Sequence, residues 1–289
     1  MAPTVLTSAS APTLDAVRRV SSAGMRFWHP RRRVASQDEL SRRERMVLGL
    51  VGSCAILGLW QLLASTNAIN PLISSSPWSV IEAARMLAAD GQLGSASWQS
   101  AELFLVGFGI ALGAGLLIGV YIGWYKRVAA VLDPLVSLLY AAPRIALIPL
   151  ISVWFGVGFE TQVVVVMLMA VFPIIINVAS GVATIDRSHL ALARAYMGSN
   201  LAVLRTVAIP GAVPAIVSGV RQGIAQSLIG VVVAEYLLGN NGIGGLIVNA
   251  GSLVQSGTVF VGVLVVALAA LLLTGLLRRL ERRLDHWRA

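Results

Sequence analysis

The sequence predicts an all-α membrane protein with six transmembrane helices, and three observations carry that expectation. Charged residues make up only 12% of the chain against 57% hydrophobic, with a mean hydropathy of +0.81; a soluble domain carries about 25% charged residues. Four runs, 46–64, 103–124, 163–183 and 258–277, hold no charge and are long enough to cross a hydrocarbon core of roughly 30 Å. Finally, the 22 basic residues outnumber the 13 acidic ones and gather on one side of these runs. An ordinary cytosolic enzyme, a disordered chain and a coiled coil are all excluded by this composition. So is a closed barrel, whose strands would alternate polar and apolar residues.

Taken in order, residues 1–45 form a basic tail rich in Ala, Ser, Thr and Arg, which reads as disordered. The stretch 41–68 resembles a twin-arginine export signal, but five further spans make an uncleaved first span, 46–64, the better reading. Residues 71–100 form an external stretch flanked by Trp78 and Trp98, with a short surface helix over 81–89. The second span repeats small residues every fourth position, at Gly107, Ala111, Gly115, Gly119 and Gly123. Such a stripe lets another helix approach backbone to backbone; a pore-lining stripe is the rival reading. The third span, 128–155, is interrupted by Asp133, Pro134, Pro143, Arg144 and Pro149. Proline removes a helical donor, and broken helices in transporters tend to line the substrate path; a simple kink is the alternative. Arg144 there either lines the path and favours an anion, or caps carbonyls freed by Pro143 and Pro149 or pairs with Asp133. The fourth span is 163–183, the fifth, 212–234, contains Pro214 and Arg221, and the sixth is 258–277 ahead of a basic tail, 278–289. Between the fourth and fifth, residues 184–211 read as a helix, a tight turn at Gly198, Ser199 and Asn200, and a second short helix ending at Pro210.

Arginines precede the first span and follow the sixth, and Lys126, Arg127, Arg187, Arg194 and Arg205 lie on the same side. The positive-inside rule therefore puts both termini in the cytoplasm, as an even number of spans requires. The single Cys54 excludes a disulfide framework or a multi-Cys metal site, and His29, His189 and His286 form no metal motif. The only lysine, Lys126, follows Tyr125 rather than Gly, so no Walker A loop exists. The chain thus binds no nucleotide that way, and ATP-driven work needs a partner. No catalytic cluster and no metal set is evident, and the expectation is a protein that is not an enzyme.

The 184–211 connection resembles the cytoplasmic Glu-Ala-Ala loop of bacterial ABC importer permeases. Counting back from Pro210, the Ile-x-Leu-Pro ending falls on Val207, Ala208, Ile209 and Pro210. The Glu-Ala-Ala element falls on Ala191, Leu192 and Ala193, and the motif glycine on Met197, with a glycine one place later at Gly198. Further stretches, 132–158, 209–221 and 234–251, resemble the nitrate/sulfonate/taurine-type permeases. The resemblance implies a type I ABC importer permease fold over 46–277 in a bacterial cytoplasmic (inner) membrane. It implies a second permease copy, a cytoplasmic ATPase dimer carrying ATP and Mg, and an external substrate-binding protein or lipoprotein. It also implies a coupling role for Ala191, Leu192, Ala193, Arg194, Ala195, Met197, Gly198, Ser199, Asn200, Arg205, Ile209 and Pro210. Pro143, Arg144, Pro149 and Arg221 are candidates for the translocation path of a small solute such as a sulfonate or nitrate. An ion-gradient-driven secondary transporter is the rival. It would ordinarily carry intramembrane carboxylates, and only Asp133 and Glu235 lie near a span. Nucleic acid is not expected as a partner; membrane lipid is.

Overall fold

In a computed structural model, residues 41–66, 75–197, 199–239 and 241–284 are described. Those residues are helical, with no strand among them. The chain divides into two compact units, Met1–Ser53 and Cys54–Ala289. Helix α1 (Arg42–Ser65) starts in the first and ends in the second; everything below concerns the second. Of the expected disordered tail, 1–45, residues 1–40 lie outside the described residues, while 42–45 are helical and open α1.

Helix α2 (Pro77–Ala89) is longer than the surface helix read from 81–89. Ser76 caps it by accepting from the Ser79 N–H at 3.1 Å, with Pro77 in the first turn, where a missing N–H costs nothing. The span α3 (Gln92–Trp124) likewise begins inside the stretch expected to be external, because Gln92 to Trp98 contain no helix breaker that outweighs burial of Ala96.

The small-residue stripe of α3 packs on α6 (Phe159–Ala183). A side chain on Gly107 would meet Val166, on Gly115 Ile174, on Gly119 Val178 and on Gly123 Val182. The offset is constant at 59 positions (166 − 107, 174 − 115, 178 − 119, 182 − 123), so the two helices run parallel and in register. Ala111 and Ala170, which share that offset, are both fully buried. Close backbone approach lets dispersion hold the pair where lipid offers no hydrophobic drive.

Parallel α3 and α6 require the chain between them to return to its starting end. It does so as α4 (Lys126–Ala141), a 3₁₀ turn (Arg144–Leu147) and α5 (Ile148–Phe155), bent by 92° rather than running as one helix. Val128, Ala129 and Leu132 of α4 join the cluster containing Ala179. Arg144 reaches Met169, and Ile148 and Ile151 of α5 pack with Val164, Val165 and Ala234. The broken pair therefore climbs α6 from Ala179 to Val164, about 22 Å at 1.5 Å per residue.

After α7 (Arg187–Met197), the segment Asn200–Leu238 is one long helix, α8, with a π-helical stretch at Leu204–Ala208. The expected end of a short helix at Pro210 is not found. Pro210 sits in the first turn after the π stretch, and the widened turn absorbs the donor that proline lacks. Helix α8 runs antiparallel to α6: Ala215 meets Gly181, Gly219 meets Asn177 and Gly230 meets Met169. Helices α9 (Gly242–Ser252) and α10 (Ser256–Leu284) complete the described residues. Trp60 ties the end of α1 to this unit, its indole N–H donating to the Ser75 carbonyl at 2.8 Å and its ring lying 5.1 Å from Phe260.

Candidate functional site

The break between α4 and α5 sets Arg144 against the middle of α6. Its Nη1 donates to the Met169 carbonyl at 3.0 Å, and its guanidinium carbon lies 5.3 Å from the centroid of the Tyr140 ring. The reason is four residues further along α6: Pro173 lies inside that helix, has no N–H, and so frees the carbonyl of Met169. Arg144 supplies the donor that Pro173 lacks. The two prolines of the break itself do not engage it. Pro143 caps the 3₁₀ turn, its carbonyl accepting from the Ala146 N–H at 2.9 Å. Pro149 sits in the first turn of α5, and the Ile145 carbonyl that it leaves free accepts from the Ile148 N–H. Asp133 makes no contact with Arg144 among the described hydrogen bonds and ion pairs. Met169 is two residues from Val171, the midpoint of α6, so the carbonyl that Arg144 serves lies about 3 Å along the axis from the middle of that helix.

Arg221 of α8 pairs instead with Glu281 of α10, at 2.8 Å. That contact draws it toward α10, whereas Gln222, one residue on and turned by a third of a circle, faces α6. There the Asn177 Nδ2 donates to the Gln222 Oε1 at 3.1 Å and to the Pro173 carbonyl at 2.8 Å. Neither Asn177 nor Gln222 was singled out from the sequence. The signal available was the i, i+4 spacing of Ser218 and Gln222 in an otherwise apolar span.

At the opposite end of the bundle lies a buried polar knot. Glu235, 1% exposed, accepts from the Ser100 hydroxyl and from the Gly244 N–H, each at 2.7 Å. The Ile243 N–H donates to the Ser100 Oγ at 2.8 Å and the Gly242 N–H to the Gln99 Oε1 at 2.9 Å. Gln162 donates to Asn241 at 3.1 Å. The first N–H groups of α9 have no partner within the helix, and here Gln99, Ser100 and Glu235 accept them. Gly242 has φ +63°, and a side chain there would strike the Glu235 carboxylate, so only glycine fits. The fifth span read from the sequence, 212–234, stops just short of Glu235; in the structure Glu235 is an inward-facing residue of α8.

Helix α7 projects from the end of the bundle where α6 finishes. Asp186 opens it, accepting from the Ser188 N–H and hydroxyl at 2.8 Å each. Those two hydrogen bonds, the backbone one foremost, hold the Asp186 carboxyl below the ordinary carboxylate range. Ala193 is buried, while Ala191, Arg194 and Ala195 are exposed. Leu192 and Tyr196, one turn apart, are 59% and 84% exposed and make an apolar knob. Ser199 caps α8 by accepting from the Ala202 N–H at 3.1 Å, beside exposed Asn200. Arg205 and Pro210 are exposed and Ile209 half-buried on the same helix. Met197 closes α7; Gly198 lies outside the described residues. Among those residues no group of His, Cys, Asp or Glu could hold a metal.

Residues 111–286 match the family described as binding-protein-dependent transport system inner membrane component. Among curated relatives, the taurine transport system permease protein TauC of Escherichia coli is 30% identical over 89% of this chain and 94% of its own length. The E. coli protein SsuC, named for aliphatic sulfonates transport, is 34% identical over 80% and 88%. Among solved structures, an inward-facing conformation of the MetNI methionine ABC transporter aligns with TM-score 0.55 and 20% identity, over 65% of this chain and 93% of that one. It is similar in fold. The chain belongs to the inner membrane permease family of binding-protein-dependent ABC transport systems.

Proposed function

We propose that this chain is the permease of an ATP-driven importer for small sulfonate-type solutes, working as a pair of copies. The observation that carries the coupling is α7: an exposed helix bearing the Leu192–Tyr196 knob, inside the family match, at the end of the bundle where α6 and α8 meet. A helix of that kind needs a groove to bury its apolar residues, and in this family the groove belongs to a cytoplasmic ATPase that holds ATP and Mg. Residues 191–200, Arg205, Ile209 and Pro210 make up this contact and its base. Six crossings, with the broken α4–α5 pair counted as one, put both termini on one side, and the arginine distribution makes that side the cytoplasm. An external binding protein delivers the solute from the opposite face.

Arg144 sets the preference for an anion. One guanidinium N–H serves Met169, the side chain is only half-buried, and the remaining donors are free to face an oxyanion, which a planar fork suits. Pro143 and Pro149 shape the break that presents it. Arg221 acts on the path from behind, by tethering α10 to α8. Relatives named for taurine and aliphatic sulfonates support this solute class.

The coupling is tested by co-purifying the permease with its ATPase from membranes. Tyr196→Asp is expected to strip the ATPase from a permease that still folds, while Tyr236→Asp, exposed at the far end of α8, retains it. Full retention by Tyr196→Asp would remove α7 from the coupling contact.

A further inference from the structure

Three helices leave a polar strip facing away from the apolar core, on the half of the bundle that leads to α7. Asn177 and Ser180 come from α6, Ser218 and Gln222 from α8, and Asp133 and Ser137 from α4. All but half-buried Asn177 are exposed. Asp133, Ser137 and Ser180 border a cavity of about 270 Å³ between α4 and α6, backed by Ile122, Val136 and Ile175. Asn177 lies six residues from the midpoint of α6, about 9 Å along the axis, within the roughly 15 Å half-thickness of a hydrocarbon core. Facing acyl chains at that depth, the halves of these amides not used in the Asn177–Gln222 and Asn177–Pro173 hydrogen bonds, Asn177 Oδ1 and Gln222 Nε2, would lack partners. The outward face of α10 shows the contrast: Leu264, Leu268, Leu271 and Leu272 are exposed and wholly apolar, as a lipid contact demands.

We propose that this strip is the wet wall of the solute path between Arg144 at mid-depth and the α7 end. The inference rests on the permease reading above and adds the residues that line its inner half. Neutral groups suit such a wall, because the Ser137 and Ser180 hydroxyls and the Gln222 amide N–H groups can donate to the oxygens of a sulfonate head in succession without the fixed positive charge that would hold it. Asp133, midway along α4 and beside Ser180 on the α7 side of Arg144, repels the anion from resting there and hastens its release.

The test uses single cysteines at Ser137, Ser180 and Gln222 in a Cys54→Ser background, in the full complex with its ATPase in nanodiscs without nucleotide. A charged methanethiosulfonate reagent reacts with the thiolate, which forms in water and not in hydrocarbon. The three sites are expected to label at least about tenfold faster than Leu271→Cys on α10. Labelling as slow as Leu271→Cys would mean the strip faces lipid, and spontaneous disulfides joining two permease copies through Gln222→Cys would make it a subunit seam; either overturns the proposal. ATP-dependent uptake of taurine by the Cys54→Ser parent, measured in parallel, separates the two readings. Fast labelling with no uptake in that parent counts against the importer, whereas uptake with slow labelling counts against the strip alone.

Discussion

If Arg144 replaces the donor that Pro173 lacks, the two residues must be energetically coupled, and a double-mutant cycle measures by how much. In the parent, Arg144→Leu leaves the Met169 carbonyl without a donor and removes the stacking on Tyr140. An unsatisfied buried acceptor costs about 1–3 kcal/mol, and an exposed-to-partly-buried cation–π contact about 0.5–1 kcal/mol, so the loss is about 3 kcal/mol. Pro173→Ala restores an N–H that the Met169 carbonyl accepts in the ordinary helical way. In that background Arg144→Leu loses only the Tyr140 contact, about 1 kcal/mol. The coupling energy is therefore about 2 kcal/mol, with Arg144→Lys in between because a single ammonium reaches one carbonyl but lacks the planar fork. Equilibrium unfolding of the four proteins in mixed micelles, followed by tryptophan fluorescence, reads it directly. Additive effects to within about 0.5 kcal/mol would refute the pairing of Arg144 with the carbonyl that Pro173 frees.

The parallel seam between α3 and α6 predicts that Gly115→Val destabilises by about 1–3 kcal/mol, since even a Cβ there lies 2.7 Å from the Ile174 Cγ2. Gly113→Val, where nothing lies within 4 Å, should melt like the parent; equal thermal stability of the two would contradict the register. Glu235→Leu leaves the Ser100 hydroxyl and the Gly244 N–H without their acceptor and should cost about 2 kcal/mol or more, with α9 the first segment to lose amide-exchange protection. At α7, the folded Asp186 carboxyl titrates lower than it would in an unfolded chain. Its contribution to the cap is thus complete above the ordinary aspartate pKa and is lost only as the pH falls through the lowered folded value. The Ser188 amide resonance should hold its position down to the ordinary aspartate range and move below it; movement already at neutral pH would show the cap is absent.

The spans, the small-residue stripe and the interrupted third span were legible because each depends on local composition: apolar length, glycine spacing, prolines in sequence. What was not legible depends on partners distant in the chain. Arg144 could be read as a cap, but the carbonyl it serves is freed by Pro173, and nothing in sequence places Pro173 opposite the break. Arg221 is a path candidate from the sequence because it sits in a span; that its ion-pair partner is Glu281, from the basic end of α10, is not visible there. Glu235 falls just past the fifth span read from the sequence, 212–234, and nothing local shows that Ser100 and the start of α9 converge on it. Pro210 read as a helix end, and the π-helical stretch before it carries the helix through. The Leu192–Tyr196 knob needed the exposure of α7 to be seen, although its one-turn spacing was present in the chain.

The importer reading meets its most direct test in uptake by proteoliposomes. The permease, its ATPase and its binding protein are reconstituted, with radiolabelled taurine on the binding-protein side and ATP on the ATPase side. The account predicts accumulation that requires ATP and the binding protein and is unaffected by a protonophore. Accumulation by the permease alone, driven by an imposed proton or sodium gradient and indifferent to ATP, would contradict it and identify a secondary transporter.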